Sequence, residues 1–272
     1  HPRQIVALRG PDRIRFLNGQ ITNDCRTTSP STQIPACILS AKGKLQFTIH
    51  VSVTADSLLC DAPAHRDGPT LLDRLDRYLI ADQAELEDIS EKWTMLHFPD
   101  HPEPRITFPN GALTFPSRRL GSLGTDVWLP STSLSEWADR PERLTELDIV
   151  QRRISHGIPE WGHELDEDTL PAEVGLDRTH VDFHKGCYIG QEVVSRIKSV
   201  GRVNRHLVHI ASDHPLTEGT PLISHGRECG RVTTTAATMG PWHALALLHR
   251  SADPNELVCG KHPVTVSRQF AG

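Results

Sequence analysis

Residues 185–196 read Lys185-Gly186-Cys187-Tyr188-Ile189-Gly190-Gln191-Glu192-Val193-Val194-Ser195-Arg196. At 100° per residue, a helix starting near Cys187 gathers Ile189, Val193, Val194 and Ile197 on one side. The other side then carries Tyr188, Gln191, Glu192, Ser195 and Arg196. Cys187 falls on the polar edge at the expected helix N-terminus, where the dipole and the nearby cation of Lys185 both favour the thiolate and raise its reactivity. Glu192 and Arg196 have an ordinary explanation as an i,i+4 pair worth a few tenths of a kcal/mol. The bland reading of Cys187 is an inert buried thiol. The polar partners and the Gly-flanked turn favour the reactive one.

Around this stretch the charge is polarised. Upstream, Glu160, Glu164, Asp166, Glu167, Asp168 and Glu173 form an acidic run without Lys or Arg. Residues 184–206 carry Lys185, Arg196, Lys198, Arg202 and Arg205 against the single acid Glu192. A basic stretch inside an acidic protein suits an anionic ligand, and its plain alternative is a solvated face. The chain as a whole has 272 residues, 29 Lys and Arg against 34 Asp and Glu, and a net charge of −5. That balance, with a pI near 6.3, excludes a general nucleic-acid or basic membrane-surface binder. No apolar run approaches the roughly 18–20 residues of a membrane span. No charged-then-apolar leader opens the given sequence, and the His1-Pro2 start suits a trimmed chain whose leader is missing.

Sixteen His and six Cys invite a metal centre. Their spacing does not support one. Even the nearest cysteines in sequence, Cys25 and Cys37, lie far outside C-x-x-C spacing. Of the close histidine pairs, His180 and His184 with Cys187 make the best ligand set, and it still needs a distant fourth ligand. Scattered imidazoles and reduced, buried thiols are the better reading.

Local patterns predict an α+β chain. Leu45, Phe47, Ile49, Val51 and Val53 alternate with polar residues, the mark of a strand with one buried face. Ala36–Ala41 precedes it as a second strand, with the turn at Lys42-Gly43. Asp12 is expected to cap a helix bearing Ile14, Leu17 and Ile21. Pro69 is expected in the first turn of a helix running to Leu79. Strands near Ser57–Asp61, Ala84–Ile89 and Glu91–Phe98 fill out a β–α–β pattern. Thr145 with Asp148 opens a further helix that Gly157 ends. Beyond about 203, six short strands separated by turn signals suggest a small β-barrel. The expected domains are 1–202 and 203–272.

The segment Lys-Gly-Cys-Tyr-x-Gly-Gln-Glu followed by Arg196 resembles the signature of the YgfZ-type folate-binding proteins. These are relatives of the glycine-cleavage T-protein and include a mitochondrial iron–sulfur assembly factor. The likeness extends to Leu8–Asp12, to Phe16-Leu17-Asn18-Gly19-Gln20-Ile21-Thr22-Asn23-Asp24, to Ala41–Lys44, to Pro171–Leu176 and to 226–234. It implies an aminomethyltransferase-like fold of ferredoxin-like α+β halves with a C-terminal six-stranded β-barrel. It also implies binding of tetrahydrofolate or a one-carbon derivative, and work in iron–sulfur cluster assembly or repair, with a transient cluster as a further cofactor. Support of cluster enzymes, including those that modify tRNA, would then be indirect.

Cys187 is the implied essential thiol. A pterin edge wants a carboxylate or carboxamide, and a glutamate tail wants a cation. The candidate folate residues are Lys185, Tyr188, Gln191, Glu192, Arg196, Glu173 and Arg202. No metal ligands are assigned. Expected partners are folate and iron–sulfur assembly proteins or client enzymes, without direct nucleic-acid or membrane binding. The expected compartment is bacterial cytoplasm, or the mitochondrial matrix for a trimmed chain. One departure matters. The aminomethyltransferase branch places an Asp on the strand after the hairpin, where this chain has Leu45-Gln46-Phe47-Thr48, and a Glu where it has Ser155. Without those carboxylates, proton handling at the folate nitrogen lacks its usual agents. Aminomethyl transfer or demethylation is therefore the alternative reading.

Overall fold

The computed structural model describes residues 2–64, 68–135, 137, 142–199, 201–236 and 240–271. The chain divides into two compact units, His1–Glu142 with Thr179–Gln191, and Arg143–Arg178 with Glu192–Gly272.

In the first unit, β1 (Arg3–Arg9), β2 (Gln33–Leu39), β3 (Leu45–Val53), β4 (Leu58–Pro63) and β5 (Glu85–Asp88) form an antiparallel sheet ordered β2-β3-β4-β1-β5. The alternation in β3 sends Phe47, Ile49, Val51 and Val53 to one face. There they pack with Val6, Leu8 and Ile38 against Phe16, Leu17 and Ile21 of the α1 region and Leu71 and Leu75 of α2. Helix α1 spans Arg13–Gln20 and α2 spans Leu71–Asp76. Each such side chain, once fully buried, stabilises by about 1.5–3 kcal/mol. The opposite face of the sheet, through Ile5, Ala7 and Leu59, meets Phe115 and Trp128. Those two come from a second antiparallel sheet of β6 (Trp93–Phe98), β7 (Leu113–Ser117) and β8 (Gly124–Pro130), ordered β6-β8-β7.

Two helix starts differ from expectation. Asp12 precedes α1 but makes no side-chain cap; its Oδ2 accepts the Gln83 N–H instead at 2.8 Å. Pro69 falls before α2 and not in its first turn, because Thr70 is the N-cap, in a reciprocal box with Asp73. That helix stops at Asp76, short of Leu79. The N–H groups of Tyr78 and Leu79 bond three residues back, to Leu75 and Asp76, the tightening usual at a helix end.

The second unit opens on α3 (Glu146–His156), whose Thr145–Asp148 capping box and left-handed Gly157 (φ 66) match their sequence signals. After α4 (Gln191–Ser199) come β9 (Arg205–Ser212), β10 (Pro221–Ser224), β11 (Arg227–Thr235), β12 (Trp242–His249), β13 (Leu257–Cys259), β14 (His262–Pro263) and β15 (Thr265–Gln269). They form one antiparallel sheet of seven strands, ordered β14-β13-β10-β11-β12-β9-β15, around a core including Val208, Ile210, Leu222, Val232, Ala246 and Leu257. The expected six strands become seven because a tight turn at Gly260 (φ 63) adds the two-residue β14.

Candidate functional site

Helix α1 ends with carbonyl groups that have no partner inside the helix. Lys185 supplies one from the far end of the first unit. Its Nζ donates to the carbonyls of Asn18 (2.8 Å), Ile21 (2.7 Å) and Asn23 (2.7 Å). A cation there also suits the negative end of the helix dipole. All three ammonium hydrogens are used, and burial pushes the group down to about 8. Thr22 adds a second tie. Its hydroxyl donates to the His180 carbonyl (2.6 Å) and accepts the Cys37 N–H (2.8 Å), while its carbonyl accepts the Asp182 N–H (3.0 Å). The stretch 18–23 and the stretch 180–185, far apart in sequence, thus share one hydrogen-bonded seam.

Cys187 stands just beyond the seam, and it is the only exposed cysteine; Cys25, Cys37, Cys60, Cys229 and Cys259 are buried. It does not begin a helix. Gly190 sits at φ 86, a left-handed conformation that interrupts helical backbone, so α4 starts at Gln191 and not near Cys187. The expected dipole activation of the thiol therefore has no geometric basis, and the Lys185 ammonium is engaged with α1. A Cβ on Gly190 would lie 2.7 Å from the Ser40 carbonyl oxygen and 3.2 Å from the Gly43 Cα, so the loop rests directly on the β2–β3 hairpin. Tyr188 is buried beneath it, with its ring centroid 5.2 Å from Lys185 Nζ. Arg26, gripped by Asp24 (Nη2 to Oδ2 2.7 Å), brings a guanidinium to 4.0 Å from where a Gly186 Cβ would stand.

Exposure separates the six thiols chemically. Burial pushes Cys25 up to about 11 and Cys60 well above its ordinary value, both against the thiolate that reacts. Ellman titration of the folded protein is therefore expected to read one fast thiol per chain, and Cys187→Ser to read none. A second fast thiol in that variant would overturn this assignment.

A second polar cluster lies inside the first unit. Arg119 bonds two carboxylates of zero exposure, Asp61 (Nη1 to Oδ2 3.1 Å, Nη2 to Oδ1 3.2 Å) and Asp126 (Nη2 to Oδ2 2.5 Å). It also donates to His50 Nδ1 at 2.9 Å. Arg3 pairs with Asp61, and His97 Nδ1 lies 2.7 Å from Asp126 Oδ1. Burial alone would raise Asp126, but Arg119 and His97 hold it well below the carboxylate range. Burial, then Arg119, holds His50 well below its usual value. The ring of His180 meets His50 edge-on at 6.3 Å, and burial takes it to about 4. Sequence reading missed this cluster. Its available signal was Asp126 directly before the apolar Val127-Trp128-Leu129 of β8, since a buried carboxylate demands a partner.

The remaining candidates are dispersed. Gln191 is half-buried at the end of the first unit's second segment. Glu192, Arg196 and Arg202 belong to the second unit and are exposed. Among the described residues Glu192 and Arg196 form no ion pair, so the expected i,i+4 link is absent. Glu173 is buried, and its carboxylate is taken by Arg205 (Nη2 to Oε2 3.0 Å) and the Leu170 N–H (3.0 Å). Lys185, Cys187 and Tyr188 are thus the ones the first unit brings together. Among the described residues no three His, Cys, Asp or Glu side chains are placed to hold a metal ion.

No protein-family model matches the chain. It is similar to mitochondrial iron–sulfur cluster assembly factors called IBA57 or IBA57 homolog. Identity is 24% with that of Mycosarcoma maydis, over 77% of this chain and 55% of the relative. It is 26% with that of Neurospora crassa (76% and 51%) and 28% with that of Homo sapiens (90% and 75%). The chain spans about half the length of the two fungal relatives. In structure it is similar to the glycine cleavage system aminomethyltransferase T of Bartonella henselae, with a TM-score of 0.81, 16% identity, and coverage of 98% of this chain and 83% of that one. The fold is that of the aminomethyltransferase T-protein. The relatives by sequence are of the assembly-factor kind that the YgfZ-type resemblance includes, and the structural neighbour is a T-protein, the relative that this resemblance names.

Proposed function

We propose that this chain acts in iron–sulfur cluster assembly or repair, with Cys187 as its working thiol and tetrahydrofolate, or a one-carbon derivative, as its ligand. The observation that carries the reading is the placement of Cys187. It is the exposed thiol of six, on a loop fixed from both sides by Lys185 and Gly190. The likeness to the assembly factors supports the cluster role, and the aminomethyltransferase fold supports the folate. Partners are iron–sulfur assembly proteins or client enzymes, tRNA-modifying ones among them at one remove, and a transient cluster is a cargo that Cys187 suits. The relatives' mitochondrial names favour the matrix as the compartment.

The transferase alternative is weaker. At the start of the strand after the hairpin, Leu45-Gln46-Phe47-Thr48 holds no acid, and the Gln46 Oε1 accepts from Arg74 Nε at 2.7 Å. A carboxamide is neither an effective acid nor an effective base near neutral pH, so Gln46 does not replace the carboxylate in moving a proton at a folate nitrogen.

Two measurements test the proposal. Cells whose copy is replaced by Cys187→Ser are expected to lose most activity of a [4Fe–4S] enzyme while keeping the protein level; wild-type activity would remove the thiol from the mechanism. Calorimetric titration of the purified protein with tetrahydrofolate is expected to give a Kd in the micromolar range, about −8 kcal/mol. No saturable heat would remove the folate and leave the cysteine role standing.

A further inference from the structure

The second unit holds a cavity of about 420 Å³ between α3 and the seven-stranded sheet. That volume is in the range of small-molecule sites. Ile154 and Ala236 contribute apolar surface. His209 and His243 stack on one another, their ring centroids 5.0 Å apart and their planes at 22°. Gln151 and Ser155 offer an amide and a hydroxyl, and Arg268 brings a guanidinium resting 5.0 Å over the Phe270 ring.

The charge around this space is one-sided. Among the described residues no Asp or Glu lines it, and Arg268 has no carboxylate partner. His209 is anchored through Nδ1 to the Ser267 hydroxyl. Burial, then His243 and then Arg268, hold its imidazole below the ordinary value. With the His209 imidazole held toward its neutral form, Arg268 is the charge at this cavity, and a bound anion would neutralise it. A stacked imidazole pair beside a guanidinium also suits a flat ring that extends the stack and whose substituent accepts a forked hydrogen bond.

We propose that this cavity binds a small molecule combining a flat ring with one anionic group, a carboxylate or a phosphate. The ring stacks on the His209–His243 pair and the anion is taken by Arg268. The cavity shares no residue with the Cys187 loop, so its failure and the failure of the cysteine reading are separate outcomes.

The test uses the full chain with ¹³C-labelled histidine rings and four probes: benzoate, phenyl phosphate, neutral benzamide and ringless inorganic phosphate. His243→Ala identifies its own signals. Benzoate or phenyl phosphate is expected to move the His209 and His243 resonances saturably, and the tighter of the two names the anion. Benzamide and inorganic phosphate are expected to bind at least tenfold more weakly than their charged or ringed counterparts. Arg268→Gln, a change on an exposed side chain of an outer strand, is expected to weaken the better probe roughly tenfold, and Arg268→Lys to recover part of it. Equal binding of benzamide and benzoate, an unchanged Kd in Arg268→Gln, or no probe that moves the His243 signals would each overturn the proposal.

Discussion

An Arg119→Met chain is expected to lose about 5 kcal/mol of stability at pH 7, the upper end of what breaking a buried ion pair costs. The reason is the partners left behind. Asp61 and Asp126 have no exposed surface, and Arg119 bonds both. Arg3 and His97 remain, one for each carboxylate, but neither replaces the guanidinium that spans them. With total stabilities near 5–15 kcal/mol, such a loss would leave the first unit marginal. Urea midpoints measure it. A loss under about 1 kcal/mol would mean that water or the remaining partners satisfy the carboxylates. If the variant does not fold at all, Arg119→Met with Asp61→Asn and Asp126→Asn removes the stranded charges and is expected to restore folding in part.

The same cluster sets a pH dependence whose sign follows from linkage. Asp126 titrates lower folded than unfolded, so its contribution is present above the unfolded value near 3.9 and is lost as pH falls below it. His180 and His50 are held neutral in the fold. Their contribution is present above the unfolded value near 6.5 and is lost as pH falls, for His180 down to about 4. Wild type should therefore weaken steadily on acidification from 6.5 to 4, by about 2 kcal/mol for His180 after allowing for its partial exposure. The Arg119→Met deficit should shrink at the acid end, where the stranded carboxylates protonate. A constant deficit from pH 7 to pH 3 would contradict the role given to Asp126.

Much of the scaffold was legible because it rests on local rules. The period-two alternation of Leu45–Val53 places β3 and its buried face without any neighbour being known. Thr145, Asp148 and Gly157 carry both ends of α3 in their own chemistry. What escaped depends on features that side-chain patterning does not encode. The spacing Ile189, Val193, Val194, Ile197 runs at helical period straight through Gly190, and periodicity is blind to a positive φ. A two-residue strand such as β14 has no period to detect. Lys185 invites a reading as a ligand cation, yet its partners are backbone carbonyls more than 160 residues away, which no side-chain pattern announces. The Arg119–Asp61 pair, 58 residues apart, is invisible for the same reason.

The glycine that defeats the helix prediction is also the sharpest lever on the site. Gly190→Ala is expected to cost about 2–5 kcal/mol. A left-handed backbone costs an L-residue about 1–2 kcal/mol, and overpacking adds about 1–3 kcal/mol. Here the overlap is with main chain, 2.7 Å to the Ser40 oxygen and 3.2 Å to the Gly43 Cα, besides 3.1 Å to the Leu39 Cβ. No side-chain rotation relieves the main-chain part, so either the hairpin or the 187–190 loop must move. The loop is the cheaper to shift, because Cys187 is exposed while Leu39 and Gly43 are buried. The variant should therefore show two effects together, a lower urea midpoint and a changed alkylation rate at Cys187. Gly186→Ala is the matched control. Its Cβ would meet only Arg26 Nη1, at an ordinary 4.0 Å, so a stability change within about 0.5 kcal/mol is expected. If the two alanine variants behave alike, the hairpin does not position the thiol. If Gly190→Ala alone shifts both readouts, the Lys-Gly-Cys-Tyr-x-Gly spacing has a mechanical meaning: Lys185 ties one end of the loop to α1, Gly190 seats the other on the hairpin, and Cys187 is held out between them.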